Sequence, residues 1–454
     1  MIKRKIMDML VSWKASHGCE CLVVKGARQV GKSFIVDAFG RMSYQSYICL
    51  DFIKNPEYKA IFEGPLDASE IYQRMSLVVP NIAFVPGDTL VFLDEIQECP
   101  RARTSLKYLA IDGRFDVLAS GSLLGIRFLQ RDEGSASSSV PVGYERSIEM
   151  YPLDFEEYLW ARGYSEGATG QLAEFVERLD SIPRDVNETM MRYLREYLAI
   201  GGMPAVVQAF VESDSFQVAH EEQIKLLETY EDDIARYASP TERVKARACY
   251  RSLPAQLARE NTKFKYSTVE RGGSARKFAG SVDWLEGANM VLRCRSVSTL
   301  QFPLLAYEDD SRFRLYASDT GLLLARYGFE MKAAVVQNTL SGPMKGGLYE
   351  NLVAGMLVKN GIPLRYWMSQ NGSSEIEFLV EKNASVVPIE VKASRGSTAS
   401  LNRVLEREDI ACGYKFIDGN VGVDAKKITL PLYLAPFLFQ SWWRQTNHLG
   451  PDPK

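Results

Sequence analysis

The segment at residues 26–33 reads Gly26-Ala27-Arg28-Gln29-Val30-Gly31-Lys32-Ser33, a complete G-x-x-x-x-G-K-[ST] phosphate-binding loop. In such a loop the glycines let backbone N–H groups turn inward and meet phosphate oxygens. Lys32 can reach the β- and γ-phosphates, and the Ser33 hydroxyl can ligate Mg²⁺. An apolar run at 21–24 precedes the loop and a helical pattern at 33–39 follows it, as a strand–loop–helix unit requires. The segment therefore predicts binding of ATP with Mg²⁺.

An acidic pair, Asp94-Glu95, directly follows the apolar run at 90–93. Carboxylates in that position lie at the carboxyl edge of a parallel sheet, where ligands bind. We expect Asp94 to hold the magnesium ion through its water shell, and Glu95 to orient or deprotonate the attacking water. Gln97 can touch the same water. Taken alone, the pair can equally be a solvated strand end, but beside the phosphate loop it predicts ATP hydrolysis.

Phosphoryl transfer also needs groups that contact the γ-phosphate. The apolar run at 115–119 leads into Ser120-Gly121-Ser122, and the hydroxyl of Ser122 or Ser120 can sense that phosphate. Either serine can instead cap the helix that follows. Arg146 and Arg236 are the candidates for the cation that stabilises the transferred charge. Most arginines are surface residues in weak ion pairs, so neither is preferred over the other.

Length and composition are those of a multidomain globular protein. The chain has 454 residues, more than one hydrophobic core usually supports, so two to four domains are expected. A net charge of −3 and a pI of about 5.9 give no global field that would attract nucleic acid or a membrane. Seven cysteines without paired C-x-x-C motifs, together with only three histidines, argue against zinc and favour reduced thiols in the cytoplasm.

Neither the first nor the last apolar segment predicts membrane association. Residues 1–6 are basic but lack a long apolar stretch and a cleavage site, so they predict an amphipathic helix that extends through Trp13. The apolar stretch at 430–439 is interrupted by Pro431 and Pro436 and is too short to span a bilayer. We therefore expect a cytoplasmic location.

The pattern of apolar and polar residues changes several times along the chain. Residues 20–150 alternate short β-like runs with helical or loop segments, the pattern of a parallel sheet wrapped by helices. Within them, the low-complexity stretch at 134–139 predicts a mobile surface loop. From residue 152 to about 238 the periodicity is helical, with a predicted tight turn at 201–204. From about residue 348 the pattern is one helix followed by strands.

The segment 242–295 is locally basic, with twelve Lys or Arg against five Asp or Glu. Aromatic residues are interleaved, and residues 275–286 have the size of a recognition helix, followed by a strand-like run at 290–292. This pattern predicts a winged helix-turn-helix that binds DNA or RNA. The alternative is a winged helix used only for packing or protein contacts. Trp284 and Leu285 are expected in the core, not at the nucleic acid.

Acidic residues and a lysine near the C-terminus have a spacing that can form a second site. Glu350 lies in a predicted helix, Glu377 in a predicted strand, and Glu390 and Lys392 in the next strand. Residues i and i+2 of a strand share a face, so Glu390 and Lys392 point together. The carboxylates can hold Mg²⁺ while Lys392 steadies a hydroxide or developing phosphate charge. An E-x-K pair on a strand is also frequent by chance.

Together, the motifs resemble a bacterial and archaeal family of AAA-type ATPases that carry a C-terminal domain of unknown function with a restriction-endonuclease-like fold. The motifs are G-A-R-Q-V-G-K-S at 26–33, F-L-D-E-I-Q at 92–97, Y-P-L-D-F-E-E-Y-L at 151–159, G-G-M-P at 201–204, L-Y-A-S-D-T-G-L-L at 315–323, Y-E-N-L-V-A at 349–354 and P-I-E-V-K at 388–392. The resemblance implies an α/β multidomain fold. Its parts are a P-loop ATPase core at 1–150, a helical lid at 151–240, a winged-helix segment at 241–325 and a PD-(D/E)xK-like α/β domain at 326–454.

One position departs from the family pattern. Where such sequences have E-V-D-F, this chain has Glu375-Ile376-Glu377-Phe378. Glutamate is one methylene longer than aspartate, and Mg²⁺ demands near-ideal octahedral geometry, so the metal site can be altered or lost. Cleavage of nucleic acid is unsettled within the family, so the resemblance does not establish a nuclease.

The sequence thus favours a magnesium-dependent ATPase whose nucleotide state controls the winged-helix and nuclease-like parts. The alternatives are a metal-dependent nuclease, and a nucleotide-switched binding module with a degenerate nuclease site. A monomer, a homo-oligomer and a complex with a protein partner all stay open, because one sequence shows no assembly interface.

Overall fold

The computed structural model describes residues 2–16, 20–122, 143–238, 240–259, 263–393 and 398–446. The chain divides into two compact units. The first unit comprises residues 3–151 and 287–289, and the second comprises residues 152–286 and the chain from residue 290 onward. The first boundary lies beside the predicted one at 150, while the further division of the second unit at 240 and 325 stays a prediction. The predicted loop at 134–139 lies outside the described residues.

The first unit is a parallel β-sheet with helices on both faces. Its elements in chain order are α1 (Ile6–Ser16), β1 (Cys21–Gly26), α2 (Lys32–Ser43), β2 (Ser46–Asp51), α3 (Ala68–Val78), β3 (Thr89–Asp94), α4 (Pro100–Asp112), β4 (Asp116–Ser122) and β5 (Glu145–Met150). Short 3-10 helices lie at Pro56–Phe62 and Ile96–Glu98. The strands β1 to β4 correspond to the apolar runs predicted at 21–24, 47–50, 90–93 and 115–119. β5 is absent from the prediction because its charged and polar side chains form no such run.

The strand order of this sheet is β2-β3-β4-β1-β5, and every neighbouring pair is parallel. β3 is buried along its whole length, which explains its continuous apolar sequence. One apolar cluster contains Ile71 of α3 and Leu106 of α4, and another contains Leu10 of α1 and Phe39 of α2. The predicted parallel sheet wrapped by helices is therefore confirmed. Because the strands are parallel, their carboxyl ends meet at one edge, where β1 leads into the phosphate loop.

The second unit is helical in its first part and mixed in its last part. Its helices are α5 (Phe155–Ala161), α6 (Glu166–Arg178), α7 (Arg184–Ile200), α8 (Pro204–Ser213), α9 (Phe216–Tyr237), α10 (Pro240–Leu257), α11 (Tyr266–Val269), α12 (Ala275–Gly287), α13 (Thr320–Ala325), α14 (Phe329–Val336), α15 (Gly342–Lys359), α16 (Ala399–Leu405) and α17 (Ala435–Thr446). Its strands are β6 (Val291–Val297), β7 (Glu308–Ala317), β8 (Arg365–Met368), β9 (Glu375–Ile376), β10 (Phe378–Lys382), β11 (Ser385–Val391), β12 (Gly413–Ile417), β13 (Gly422–Asp424) and β14 (Lys427–Pro431). Two more 3-10 helices lie at Leu304–Tyr307 and Leu432–Leu434.

These strands form two sheets. The four-stranded sheet has the order β7-β6-β8-β9, with β6 antiparallel to β7 and parallel to β8. Before α11, Lys263 adds a single antiparallel bridge to Arg314 of β7. The five-stranded sheet has the order β10-β11-β12-β14-β13, in which β11, β12 and β14 are parallel and both edge strands are antiparallel. α16 lies between β11 and β12 in the chain, as a parallel crossover requires.

The turn at 201–204 lies between α7 and α8, as predicted, and packs against two other segments of the second unit. A Cβ on Gly202 would overlap the Leu153 carbonyl oxygen, so only glycine fits there. The Asp319 carboxylate accepts from the N–H of Gly202 at 2.7 Å and from the N–H of Leu322 at 2.9 Å, which caps α13. Burial raises the pKa of the Asp319 carboxyl. The junction brings together residues from three of the motifs quoted above, those at 151–159, 201–204 and 315–323.

No helix within the described ranges combines the length and the apolar content needed to cross a bilayer. Six cysteines fall within these ranges, and all of them are free thiols. They are Cys21, Cys49, Cys99, Cys249, Cys294 and Cys412.

Candidate functional site

The phosphate loop joins the end of β1 to the start of α2. Gln29 and Gly31 have left-handed backbone, with φ of 65° and 93°, and these two turns bring the chain around to Lys32. At the other end of the loop, a Cβ on Gly26 would overlap the carbonyl oxygen of Met150 in β5. The two glycines of the motif are therefore required for different reasons. Gly31 adopts a left-handed backbone conformation, and Gly26 leaves room for the close approach of β5.

Lys32 is the first residue of α2 and is only 5% exposed. Its ammonium donates to the carbonyl oxygens of Gly26 and Ala27, at 3.2 and 2.8 Å, so it lies back over the loop. Burial lowers the pKa of Lys32, and the carboxylates of Glu95 and Asp94 oppose that change. A buried cation over the loop and beside two carboxylates is suited to bind phosphate oxygens.

Asp94 is the last residue of β3 and is buried. Its Oδ1 atom accepts from the Ser33 hydroxyl at 3.0 Å and from the Glu95 N–H at 3.1 Å. Burial raises the pKa of the Asp94 carboxyl, and the hydroxyls of Ser120 and Ser33 oppose the rise. The two residues predicted to hold magnesium are thus in direct contact. A hydroxyl and a carboxylate are hard oxygen ligands, so this pair fits Mg²⁺.

Of the two serines predicted as phosphate sensors, Ser120 contacts Asp94. It is fully buried in β4, and its hydroxyl donates to the Asp94 carboxylate. The register explains the contact, because Leu93 pairs with Ala119 and the next residues along the two parallel strands are Asp94 and Ser120. Ser122 is the last residue of β4 and pairs with Gly26 in β1, and its role as a γ-phosphate sensor stays a prediction.

Glu95 follows Asp94 with a left-handed backbone, φ 53°, which is uncommon for a residue other than glycine. Such a conformation costs on the order of 1 kcal/mol. It turns the chain away from β3 into the 3-10 helix at Ile96–Glu98. The Glu95 carboxylate accepts a hydrogen bond from the side-chain amide of Gln97. Gln97 therefore contacts the predicted base itself, beside the position predicted for the attacking water.

Arg146 lies in the first half of the edge strand β5, where it pairs with Leu22 and is exposed. The end of β5 that borders the phosphate loop is Met150, which is about 13 Å further along the strand at roughly 3.3 Å per residue. Arg146 is therefore not at the phosphate edge of its own sheet, and its role as the cation that stabilises the transferred charge stays a prediction. Arg236 is exposed on α9 in the second unit, and its role stays a prediction.

Arg4 contacts the phosphate loop without having been predicted to do so. It is 7% exposed, its Nη1 atom donates to the carbonyl oxygen of Val30 at 3.1 Å, and its Nη2 atom donates to that of Tyr151 at 2.6 Å. In the sequence it is one of three consecutive basic residues, Lys3-Arg4-Lys5. Only one feature of the sequence indicates that Arg4 is buried. It precedes Ile6 by two residues, at the start of an amphipathic helix whose apolar face must be buried.

In the second unit, Lys392 lies between two of the predicted carboxylates. Its ammonium donates to Glu377 at 2.5 Å and lies 3.5 Å from Glu390. Glu377 and Glu390 are 6% and 1% exposed, and the Oε2 atom of each has no hydrogen-bond partner among the described residues. Burial, followed by the charge of Glu377, raises the pKa of Glu390 to about 7, against the opposing effect of Lys392. Two buried carboxylates therefore share one ammonium.

Glu350, in α15, has different partners. Its carboxylate accepts from the Tyr316 hydroxyl at 3.1 Å and from Arg314 at 3.5 Å. Arg314 is fully buried, lies 4.4 Å from the ring centroid of Tyr366, and forms a second ion pair with Glu375. Burial raises the pKa of Glu350, and the Arg314 charge opposes the rise. This carboxylate is therefore held by an arginine and a tyrosine of β7.

Across the residues that the structure describes, no group of three His, Cys, Asp or Glu side chains is arranged to hold a metal ion. The predicted convergence of Glu350, Glu377 and Glu390 on one ion is therefore not seen. Instead, Lys392 bridges Glu377 and Glu390, while an arginine pairs with Glu350. The two unpartnered oxygens, Oε2 of Glu377 and of Glu390, are the part of this set that fits a divalent cation.

Half of the twelve basic residues in the segment 242–295 are paired with acidic side chains. Six of its cations form ion pairs with acidic side chains: Lys245, Arg247, Arg251, Lys277, Arg293 and Arg295. Lys265, Arg271 and Arg276 are exposed and have no ion pair with any other described residue. Trp284 and Leu285 are buried, at 8% and 0% exposed, which confirms that they belong to the core.

Comparison with known families agrees with the geometry of the loop. Residues 19–159 match a family model described as an AAA domain. Residues 191–333 and 345–434 match two models described as domains of unknown function, DUF8612 and DUF4143. With the loop at 26–33 on a parallel sheet, residues 19–159 are an AAA-type P-loop ATPase domain that binds nucleotide. A search of curated proteins finds no match.

Solved structures with some similarity include three nucleotide- or DNA-associated proteins. The Walker-type ATPase of Pyrococcus abyssi has 15% identity and a TM-score of 0.42, over 72% of this chain and 96% of its own. AMPPCP-bound DnaA from Aquifex aeolicus has 13% identity and a TM-score of 0.29, over 62% of this chain and 86% of its own. Drosophila ORC bound to DNA has 11% identity and a TM-score of 0.26, over 71% of this chain and 85% of its own.

Proposed function

We propose that this protein is a magnesium-dependent ATPase with its active site at the carboxyl edge of the first unit's sheet. The observation that carries the proposal is the 3.0 Å contact between the Ser33 hydroxyl and Asp94, with Lys32 and Glu95 at the same edge. These residues supply the cation, the metal-side oxygens and the base that hydrolysis of ATP needs. The free thiols of the six described cysteines favour a cytoplasmic location.

Binding of ATP would exchange the partners of Lys32. Its ammonium leaves the carbonyl oxygens of Gly26 and Ala27 and takes β- and γ-phosphate oxygens as acceptors. The phosphate charge favours the protonated form, which offsets the effect of burial on the pKa of Lys32. Ser33 and Asp94 would hold Mg²⁺, which supplies positive charge against the β- and γ-phosphate oxygens.

Glu95 would act on the attacking water. One water proton passes to a Glu95 carboxylate oxygen, the water oxygen bonds to the γ-phosphorus, and the bond to the β–γ bridging oxygen breaks. Gln97 holds the Glu95 carboxylate through its side-chain amide, and Ser120 holds the neighbouring Asp94. Each acidic side chain therefore has at least one neutral partner that fixes its orientation without removing its charge.

The test is magnesium-dependent turnover of ATP by Lys32→Met. We expect a loss of at least about 100-fold, because the cation that faces the transferred phosphoryl group is removed. Lys25→Met is the matched control: the same change lies in β1, one residue before the loop, and should leave turnover near that of the wild type. Equal turnover in the two variants would contradict the proposal.

We further propose that the nucleotide state controls nucleic-acid binding by the segment 242–295. The order of elements supports this: α10, the bridge at Lys263, α11, α12 and the β6–β7 hairpin follow one another as in a winged helix. The exposed cations Lys265, Arg271 and Arg276 narrow the contact surface to the region around the turn between α11 and α12. The six ion-paired residues are weaker candidates, since an existing partner must be displaced. Arg243 and Arg259 already donate to the Ala238 carbonyl oxygen and the Thr268 hydroxyl.

DNA affinity as a function of salt concentration tests this surface. Changing Lys265, Arg271 and Arg276 together to Gln should weaken binding and reduce the slope of log K against log salt by up to about 0.9 for each phosphate that is no longer neutralised. A triple Gln variant of the ion-paired Lys245, Arg251 and Lys277 removes the same charge and should change the slope less. Equal slopes for the two variants would remove these residues from the proposal.

A second candidate function is metal-dependent cleavage of nucleic acid in the C-terminal part. The observation that favours it is the pair of unpartnered, buried Oε2 atoms of Glu377 and Glu390 beside Lys392. Glu350, the third predicted ligand, is held by Arg314 and Tyr316 and does not join this pair. Cleavage that depends on Mg²⁺ or Mn²⁺ should be lost in Lys392→Ala and retained in Lys427→Ala, whose ammonium instead pairs with Asp424. Cleavage that survives Lys392→Ala would remove this candidate.

A further inference from the structure

We propose that Arg4 is a positioning residue that holds the phosphate loop in its nucleotide-binding conformation. The proposal rests on the proposed function, because it concerns the same loop. Arg4 is almost fully buried, and its guanidinium reaches two carbonyl oxygens that are far apart in sequence. One belongs to Val30, inside the loop, and the other to Tyr151, just beyond the end of β5.

The contact with Val30 controls the direction of one N–H group of the loop. A peptide unit is planar and trans, so the carbonyl of Val30 and the N–H of Gly31 point in opposite directions. Arg4 holds this carbonyl at 3.1 Å and therefore aims the Gly31 N–H away from itself. Phosphate-binding loops bind through such N–H groups. The arginine thus acts on the ligand through the peptide that it holds.

The peptide between Val30 and Gly31 needs an external support because Gly31, on one side of it, is conformationally permissive. Gly31 has a φ of 93°, and Gln29, the residue before Val30, has a φ of 65°. No regular secondary structure holds this peptide in place, since α2 begins only at Lys32. Glycine also allows other backbone conformations at little cost, which would rotate this peptide. A fixed donor on the Val30 carbonyl selects one of them.

Arg4 can serve as that donor because its own position is fixed. It lies just before α1, and the Met7 N–H donates to its carbonyl oxygen at 3.1 Å. Leu10 and Trp13 of α1 are buried in the same apolar cluster as the Val30 side chain. The second hydrogen bond, to Tyr151, ties the guanidinium to the end of β5. A planar guanidinium holds donors on separate nitrogen atoms in a fixed geometry, which the single nitrogen of a lysine ammonium cannot reproduce.

The experiment compares Arg4→Gln, Arg4→Lys and the control Lys3→Gln in the full chain. Lys3 is the adjacent exposed cation, so the control makes the same change of charge. Two quantities are measured: the affinity for a fluorescent ATP analogue with Mg²⁺, and the amide hydrogen exchange of peptides that cover 26–33. Exchange is read without nucleotide, so it reports on the loop even if no ATP binds.

We expect Arg4→Gln to weaken the affinity at least about tenfold, which corresponds to roughly 1.4 kcal/mol. Exchange should accelerate in peptides covering 29–33 and remain as in the wild type elsewhere in the first unit. The affinity and the exchange of Arg4→Lys should lie between those of Arg4→Gln and the wild type. Lys3→Gln should match the wild type in both measurements.

The proposal is overturned if Arg4→Gln and Lys3→Gln agree in both measurements. It is also overturned if exchange accelerates equally throughout the first unit, because Arg4 would then only stabilise the fold. If Arg4→Gln does not fold, Arg4→Lys decides, and wild-type affinity and exchange in that variant reject the proposal. A wild-type protein that binds no ATP would instead reject the proposed function, while the exchange comparison would still test Arg4.

Discussion

Lys332 is a lysine buried against a neutral amide, and replacing it should change the stability of the second unit in a pH-dependent way. It lies in α14, is 1% exposed, and donates to the side-chain oxygen of Gln223. Burial lowers the pKa of Lys332 from 10.5 to about 7, and the charge of Asp319 opposes the change. The perturbation is Lys332→Met, which keeps a long unbranched side chain and removes the charge.

The sign follows from proton binding. Between pH 7 and 10.5 the folded chain binds fewer protons at Lys332 than the unfolded chain, so stability rises with pH across this window. The slope is about 1.4 kcal/mol per pH unit, and below pH 7 the full penalty, on the order of 5 kcal/mol, opposes folding. Methionine has no such penalty. The stability of Lys332→Met relative to the wild type should therefore fall by about 3 kcal/mol between pH 7 and 9.5.

Urea denaturation between pH 7 and 9.5 measures this difference, with tryptophan fluorescence as the signal. All tryptophans except Trp13 lie in the second unit. The range lies above the titration of the neighbouring His220, whose pKa is lowered by burial and by Lys332. Loss of the donor to Gln223 costs about 1–3 kcal/mol, but equally at every pH.

Lys225→Met is the matched control for this series. Lys225 is exposed on α9, two residues from Gln223, and its bond to Glu222 raises the pKa of the ammonium. It stays charged through the range in both states, so its replacement should give a difference that does not vary with pH. A Lys332→Met difference that is equally independent of pH would refute the reasoning.

Two further predictions concern the junction around 201–204, and both are checked by the same denaturation assay. Gly202→Ala should lower the free energy of unfolding by about 3 kcal/mol, because the new Cβ overlaps the Leu153 carbonyl oxygen. Its control is Gly170→Ala in α6, where a Cβ meets no other atom, and this variant should raise the free energy of unfolding by about 0.5–1 kcal/mol. Asp319→Ala should lower the free energy of unfolding by about 3 kcal/mol, because it removes a helix cap and leaves the buried Gly202 N–H without its acceptor. Its control, Ser165→Ala, removes an exposed helix cap and should lower the free energy of unfolding by about 1 kcal/mol. Gly202→Ala as stable as Gly170→Ala, or Asp319→Ala as stable as Ser165→Ala, would contradict these accounts.

The parts of the fold and site that could be predicted are those that depend on consecutive residues of the chain. The phosphate loop and the strand before Asp94 depend on residues that are neighbours in the chain. Their apolar runs and glycines therefore identify them without knowledge of the rest. The strand β5 could not be found in this way, because an edge strand needs no continuous apolar run and its segment Glu145–Met150 is mostly polar.

The remaining features depend on long-range geometry. The contact between Ser120 and Asp94 depends on the register of β3 against β4, which no local pattern encodes. The role of Arg4 requires that the N-terminal segment pack beside residues 30 and 151. In the second site predicted in the C-terminal part, the sequence spacing suggested Glu377, Glu390 and Lys392 as members. It did not indicate that Lys392 would lie between the two carboxylates.

The central claim is that Glu95 is the base of an ATPase, and the most direct test is turnover and binding by Glu95→Gln. The variant keeps the shape of the side chain and removes its basicity. We therefore expect its affinity for MgATP to stay within a few-fold of the wild type, while turnover falls about 100-fold or more. Glu98→Gln is the matched control, since Glu98 lies three residues further on and faces Lys59 at 3.8 Å. Turnover in Glu95→Gln equal to that in Glu98→Gln would contradict the assignment of Glu95.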